Sequence, residues 1–240
     1  MNPILVALDV DSTAKAVALA DRLRGTVGGY KIGNQLFTAE GPAVVRQLVE
    51  RGDRVFLDLK YHDIPNTVAG AVTAAVNLGV WMINVHAGGG RPMMEAARRA
   101  ANEAADARGG AAPLLIGVTV LTSMDGSTLD SIGVSVSALD HAVRLARLTQ
   151  DAGLDGVVAS PQEVVAIRQA CGPDFVIVTP GIRGGSATSG PDDQHRTATP
   201  AGAMAAGASY LVVGRPITGA PDPRSAAEGI GREAGAPTLR

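Results

Sequence analysis

PILVALDVDSTAKAVALADRLRG, residues 3–25, holds one complete structural unit: a short apolar run, a polar turn, and a segment with apolar residues at helical spacing that Gly25 ends. The same unit recurs along the chain. Strand-like runs occupy 3–9, 27–33, 54–60, 80–86, 113–121, 155–160, 174–180 and 208–214. Ala-rich amphipathic segments follow at 40–51, 64–78, 91–107, 137–151, 161–171 and 199–206, with no linker or break in composition between them. Eight alternating units leave two architectures, an open doubly wound sheet or a closed barrel. The first turn decides between them. An open nucleotide-binding sheet calls for G-x-G-x-x-G after its first strand, whereas residues 8–14 read LDVDSTA. The expectation is a single α/β domain over 1–240, a (β/α)8 TIM barrel, for which eight units in 240 residues is near the usual length.

Composition agrees with strands covered on both faces. Apolar residues make up 46% of the chain and aromatic ones only 3%, so the core is built from Ala, Val, Leu and Ile. A net charge of −2 with interspersed signs argues against a nucleic-acid surface or a polybasic membrane anchor. The lone Cys171 excludes an intrachain disulfide and fits a reducing, cytoplasmic setting. The start, MNPILVALDV, lacks a basic region and its apolar run is cut by Asp9, so it reads as a strand rather than a signal peptide. No stretch approaches the ~20 apolar residues of a membrane span.

Barrel chemistry sits at the C-terminal ends of the strands. Those ends carry Asp9, Lys31, Asp58 with Lys60, His86, Thr122, Ser160, Arg183 and Arg215, a set rich in titratable groups. The densest part is FLDLKYHDIPNTV, residues 56–68. Strand alternation puts Asp58 and Lys60 on one face, roughly 6.6 Å apart at Cα, with Leu57, Leu59 and Tyr61 on the other. Pro65 fits the first turn of a following helix and Asp63 its N-cap. The local pattern suits a solvated salt bridge and a capping aspartate equally well; the barrel context favours a site.

A second group lies in TPGIR (179–183) and VVGRPI (212–217), at the ends of strands seven and eight, where barrels often bind phosphate. Backbone N–H groups at Gly214 and Arg215, with the Arg215 side chain, suit a phosphate dianion. The intervening segment, 181–198, has no strand or helix pattern and is expected to be a lid carrying Arg183 and Gln194 over the phosphate. Taken alone it reads rather as a flexible insertion with incidental polar residues. His62, His86, His141 and His195 show no ligand spacing, so no metal site is expected. His86 either faces the cavity or is a hydrogen-bonded structural histidine, and HAGGGRP (86–92) reads as a tight turn.

DLKYHDIPNT (58–67) resembles the active-site motif of the orotidine 5′-monophosphate decarboxylase family. The resemblance continues through ALD (7–9), KIG (31–33), VHAGGG (85–90), VTVLTS (118–123), TPGIR and VVGRPI. It implies a homodimer of barrels that converts orotidine 5′-monophosphate to uridine 5′-monophosphate and CO2, the last step of de novo UMP synthesis, without metal or organic cofactor. It further implies that Lys60 protonates pyrimidine C6, that Asp58 lies against the substrate carboxylate, and that Lys31 joins the charged network and contacts the ribose. Asp63 and Thr67 would reach the neighbouring subunit's site. Asp9 would bind ribose hydroxyls, Thr122 would sit at the pyrimidine, and Arg183, Gln194, Gly214 and Arg215 would hold the phosphate. The segment after Arg183 departs from the family pattern, which has a proline directly there.

The nearest rival resembles the Mg²⁺-dependent sugar-phosphate lyases such as 3-keto-gulonate 6-phosphate decarboxylase, which share Asp-x-Lys-x-x-Asp. Their metal needs oxygen ligands, and the acid expected at the end of strand two is Lys31 here. A catalytically silent phosphate-binding barrel would keep Arg183, Gly214 and Arg215 without needing both Asp58 and Lys60.

Overall fold

The computed structural model describes residues 1–184 and 197–236. Eight parallel strands close into a barrel in sequence order, β1 pairing with β8. They are β1 Ile4–Ala7, β2 Gly29–Gly33, β3 Val55–Tyr61, β4 Met82–His86, β5 Leu114–Val118, β6 Gly156–Val158, β7 Val176–Thr179 and β8 Tyr210–Val213. The helices expected from periodicity are present as α1 Thr13–Leu23, α3 Pro42–Glu50, α4 Pro65–Asn77, α5 Gly90–Ala107, α7 Ala138–Asp151, α8 Val164–Cys171 and α9 Pro200–Ala205. Four more were not anticipated: α2 Asn34–Glu40, α6 Gly126–Ser131, α10 Arg215–Thr218 and α11 Pro223–Glu233. Three of them span four to seven residues, too short to show a helical period. The expected helix over 40–51 begins at Pro42, because Gly41, at φ 65°, ends α2 and starts α3.

Alternation along the strands divides the core in two. Ile4, Val6, Tyr30, Ile32, Val55, Leu57, Ile83 and Val85 face outward and pack under the helices. Leu5, Ala7, Phe56, Met82, Ile116, Val178 and Val212 fill the barrel interior, with Trp81 and Tyr210 packed against them in an edge-to-face contact. Moving toward the C-terminal ends, the inward positions change character. Phe56 is followed on its face by Asp58, and Met82 by Asn84. Lys31 lies between the outward-facing Tyr30 and Ile32. Sequence alternation therefore delivers three polar side chains onto an apolar plug.

Candidate active site

The cavity at the C-terminal mouth has a volume of about 270 Å³. Asp9, Lys31, Asp58, Lys60, Thr122, Arg183, Gly214 and Arg215 all line it, as do the apolar Phe56, Val120, Leu121, Val158 and Val212. Eight of the residues expected from the sequence are thus brought to one wall-to-wall site. Gln194 lies outside the described residues, as does most of the expected lid over 181–198. At the ends of that segment, Ile182 bridges Ala198, and the Arg183 N–H donates to the Ala198 carbonyl at 2.9 Å.

Asp9, Lys31, Asp58 and Lys60 form a chain of alternating charge. Lys31 Nζ lies 3.3 Å from Asp9 Oδ1 and 3.5 Å from Asp58 Oδ2. Lys60 Nζ donates to Asp58 Oδ1 at 2.7 Å. Gly33 makes the Lys31 position accessible, since a Cβ there would stand 2.8 Å from Lys31 Nζ. Asp58 is buried, and that burial is the largest influence on its carboxyl, pushing its pKa up. The nearby Lys31 and Lys60 charges and hydrogen bonds from Lys60 and Asn84 more than offset it, so the net shift is below the ordinary carboxylate range. Asp58 is therefore an anion held between two cations.

Lys60 does not reach this position by simple alternation. The register between β3 and β4 slips between Leu57 and Tyr61, four residues of β3 spanning two of β4. Within that bulge Lys60 takes φ 53°, the only positive φ of a non-glycine residue among those described. A left-handed backbone at a non-glycine residue costs about 1–3 kcal/mol and persists only where its surroundings impose it. Asn84, which is fully buried, accepts from the Lys60 N–H at 2.8 Å and donates to Asp58 Oδ1 at 2.7 Å. Asn84 was missed in the sequence because β4 read as a uniformly apolar run. Its place two residues after the inward-facing Met82 was the available signal.

One expectation about the following segment needs correction. Asp63 is not the N-cap of α4: Ile64 holds that place with no side-chain cap, and Asp63 Oδ1 accepts instead from the Ile64 N–H at 2.6 Å. Pro65 at the first helical position has no N–H to satisfy, and the Thr67 N–H donates to the Ile64 carbonyl at 3.1 Å. Asp63 and Thr67 are exposed and do not line this chain's cavity.

His86, at the end of β4, stacks its ring on that of His62 with centroids 5.1 Å apart. Its Nδ1 accepts from the Gly88 N–H at 3.1 Å, a role for the neutral ring. Burial first, then the proximity of His62, Lys60 and His141, lowers its pKa. The folded state thus refuses a proton that the unfolded chain takes up at ~6.5. Stability present above that pH is expected to fall as the medium is acidified through the folded-state value. Urea midpoints measured between pH 8 and 5 should show this decline, and His86→Asn, which keeps an acceptor, should flatten it. An equal slope in both proteins would assign the acid sensitivity elsewhere.

The model of the orotidine 5′-phosphate decarboxylase / HUMPS family matches residues 2–230. An orotidine 5′-phosphate decarboxylase of Moorella thermoacetica is 55% identical over 233 residues, covering 97% of this chain and 92% of that protein. One from Chromohalobacter salexigens is 52% identical, covering 99% and 98%. Among solved structures, an orotidine 5′-phosphate decarboxylase from Lactobacillus acidophilus superposes with a TM-score of 0.86 at 37% identity, over 98% of this chain and 100% of that one. An uncharacterized conserved protein from Geobacillus kaustophilus gives 0.84 at 37% identity, over 97% and 100%.

Proposed function

The chain belongs to the orotidine 5′-phosphate decarboxylase / HUMPS family, and we propose that its Asp9–Lys31–Asp58–Lys60 array carries out the family's decarboxylation of orotidine 5′-monophosphate to uridine 5′-monophosphate, the closing step of UMP synthesis. The observation that carries this reading is the buried Asp58 with an ammonium on either side, at the mouth of the barrel.

In the proposed reaction the C6–carboxylate bond breaks, CO2 leaves and the electron pair remains on C6. Lys60 then transfers a proton from Nζ to C6 and regains one from water. The carbanion lies in the ring plane without a neighbouring carbonyl to delocalise it, so its stabilisation must come from the site. Two charges 4 Å apart at an effective dielectric of 20 repel by ~4 kcal/mol, and repulsion by Asp58 could supply at most about three powers of ten in rate. Lys31 and Lys60 already neutralise much of the Asp58 charge, which reduces that contribution further. The main term is then the Lys60 ammonium, fixed before the reaction where negative charge develops.

The rest of the cavity fits the remainder of the substrate. Thr122 stands with apolar Val120 and Leu121 where a pyrimidine would lie, Asp9 and Lys31 suit ribose hydroxyls, and Arg183, Gly214 and Arg215 suit the phosphate. Gln194 is assigned to the phosphate with them, and the 181–198 segment to closure over it. Asp63 and Thr67 are assigned to the site of a second subunit in a homodimer, which their exposure beside the cavity-lining β3 supports. No helix among the described residues is long and apolar enough to cross a membrane; with a single cysteine in the chain, a cytoplasmic setting fits.

The test is conversion of orotidine 5′-monophosphate by the purified protein with and without excess chelator. The Mg²⁺-dependent sugar-phosphate lyases need oxygen donors where this site has the ammonium of Lys31, 3.5 Å from Asp58. Equal rates in both conditions are expected, and a requirement for Mg²⁺ would overturn the reading.

A further inference from the structure

We infer that Asn84 is a positioning residue that sets Asp58 and Lys60 relative to one another through a single buried amide. The inference rests on the reaction proposed for those two residues. Asn84 is fully buried on the inward face of β4, and both ends of its amide are engaged. Its oxygen accepts from the backbone N–H of Lys60, at the place where the register slip removes that group from regular β3–β4 pairing. A buried N–H without a partner is strongly disfavoured, so this acceptor holds the left-handed backbone at Lys60. Its nitrogen donates to Asp58 Oδ1, the same oxygen that receives Lys60 Nζ at 2.7 Å. One planar group therefore fixes the main chain of the proton donor and the side chain of the anion that orients it. Asp58 Oδ2 is left facing Lys31.

The residue type follows from these demands. Aspartate could accept from the Lys60 N–H but would set a second carboxylate against Asp58, and alanine would leave the Lys60 N–H without its acceptor and take one donor from Asp58 Oδ1. Displacements of about 1 Å in a reacting array cost about 10²-fold in rate.

The experiment compares Asn84→Asp with the parent chain across pH, reading kcat and KM separately. The charged groups facing position 84 are Asp58 and Lys60 from β3, with Lys31 from β2 and His86 from its own strand beside them. Expected at pH 8 is a fall in kcat of about 10²-fold with KM little changed. On acidification the introduced carboxyl takes a proton, becomes a donor to Asp58, and kcat recovers, adding an ionisation that the parent profile lacks. Unchanged kcat at pH 8 would overturn the inference, as would a loss that is flat with pH or that tracks the folded fraction seen by circular dichroism. If Asn84→Asp does not fold, Asn84→Ala decides: kcat per folded molecule must fall by about 10²-fold, and parent-like kcat refutes the role. Failure of the underlying reaction assignment has a separate signature, since Lys60→Ala would then retain turnover whatever Asn84→Asp does.

Discussion

Lys60→Ala is expected to lower kcat/KM by about 10⁴-fold or more, because proton donation and electrostatic stabilisation at C6 are lost together. The protein should still fold. Lys60 sits at the rim with a side chain one-third exposed, and alanine at this position inherits the left-handed backbone rather than adding a new strain. Asp58 keeps Lys31 and Asn84 as partners, so its charge is not abandoned in the interior. The measurement is turnover of orotidine 5′-monophosphate per folded molecule, with cooperative unfolding as the control. Turnover within tenfold of the parent would remove Lys60 as the proton donor. Removing a single preorganised donor typically costs 10²–10³-fold, so a loss confined to about that range would indicate that Lys60 stabilises the carbanion while another group delivers the proton.

Mixing Lys60→Ala subunits with Asp63→Ala subunits, each inactive alone, should restore roughly a quarter of parental activity if the sites are shared across a two-fold dimer. Random reassortment makes half the dimers mixed, and each mixed dimer holds one intact site, combining Lys60 of one subunit with Asp63 of the other. The opposite site lacks both. Self-contained subunits would give no restoration at any mixing ratio. The structure makes the question sharp because Asp63 is outside its own cavity and spends one carboxylate oxygen on the Ile64 N–H. Its second oxygen is the one a neighbouring site would use.

The closed barrel was legible because its signal is redundant: eight apolar runs and their helices each repeat the same message, and one turn without glycines removes the competing sheet. The cavity lining was legible wherever a charged residue stands at a strand end, as with Lys31, Asp58 and Arg183. Two kinds of feature were not. Asn84 is a neutral residue inside an apolar strand, and its importance lies in which face it occupies, a fact fixed by barrel closure and by the inward-facing Met82 two residues earlier. The bulge at Lys60 depends on how β3 and β4 register after pairing, for which a single strand's period of two carries no information. Asp63 shows the same limit on a smaller scale. Its spacing before Pro65 matched a cap, and a one-residue shift in where α4 begins moved the role to Ile64.

The left-handed backbone at Lys60 also bears on how this chain could change under laboratory selection. Glycine occupies that conformation without steric strain, a relief of about 1–3 kcal/mol set against its greater unfolded-chain entropy and the lost Lys60–Asp58 ion pair. The same replacement deletes the proposed proton donor. Where the relief of strain exceeds those losses, a screen that scores only survival at high temperature would enrich chains lacking that donor, and the two selections, for robustness and for turnover, would point in opposite directions at one residue.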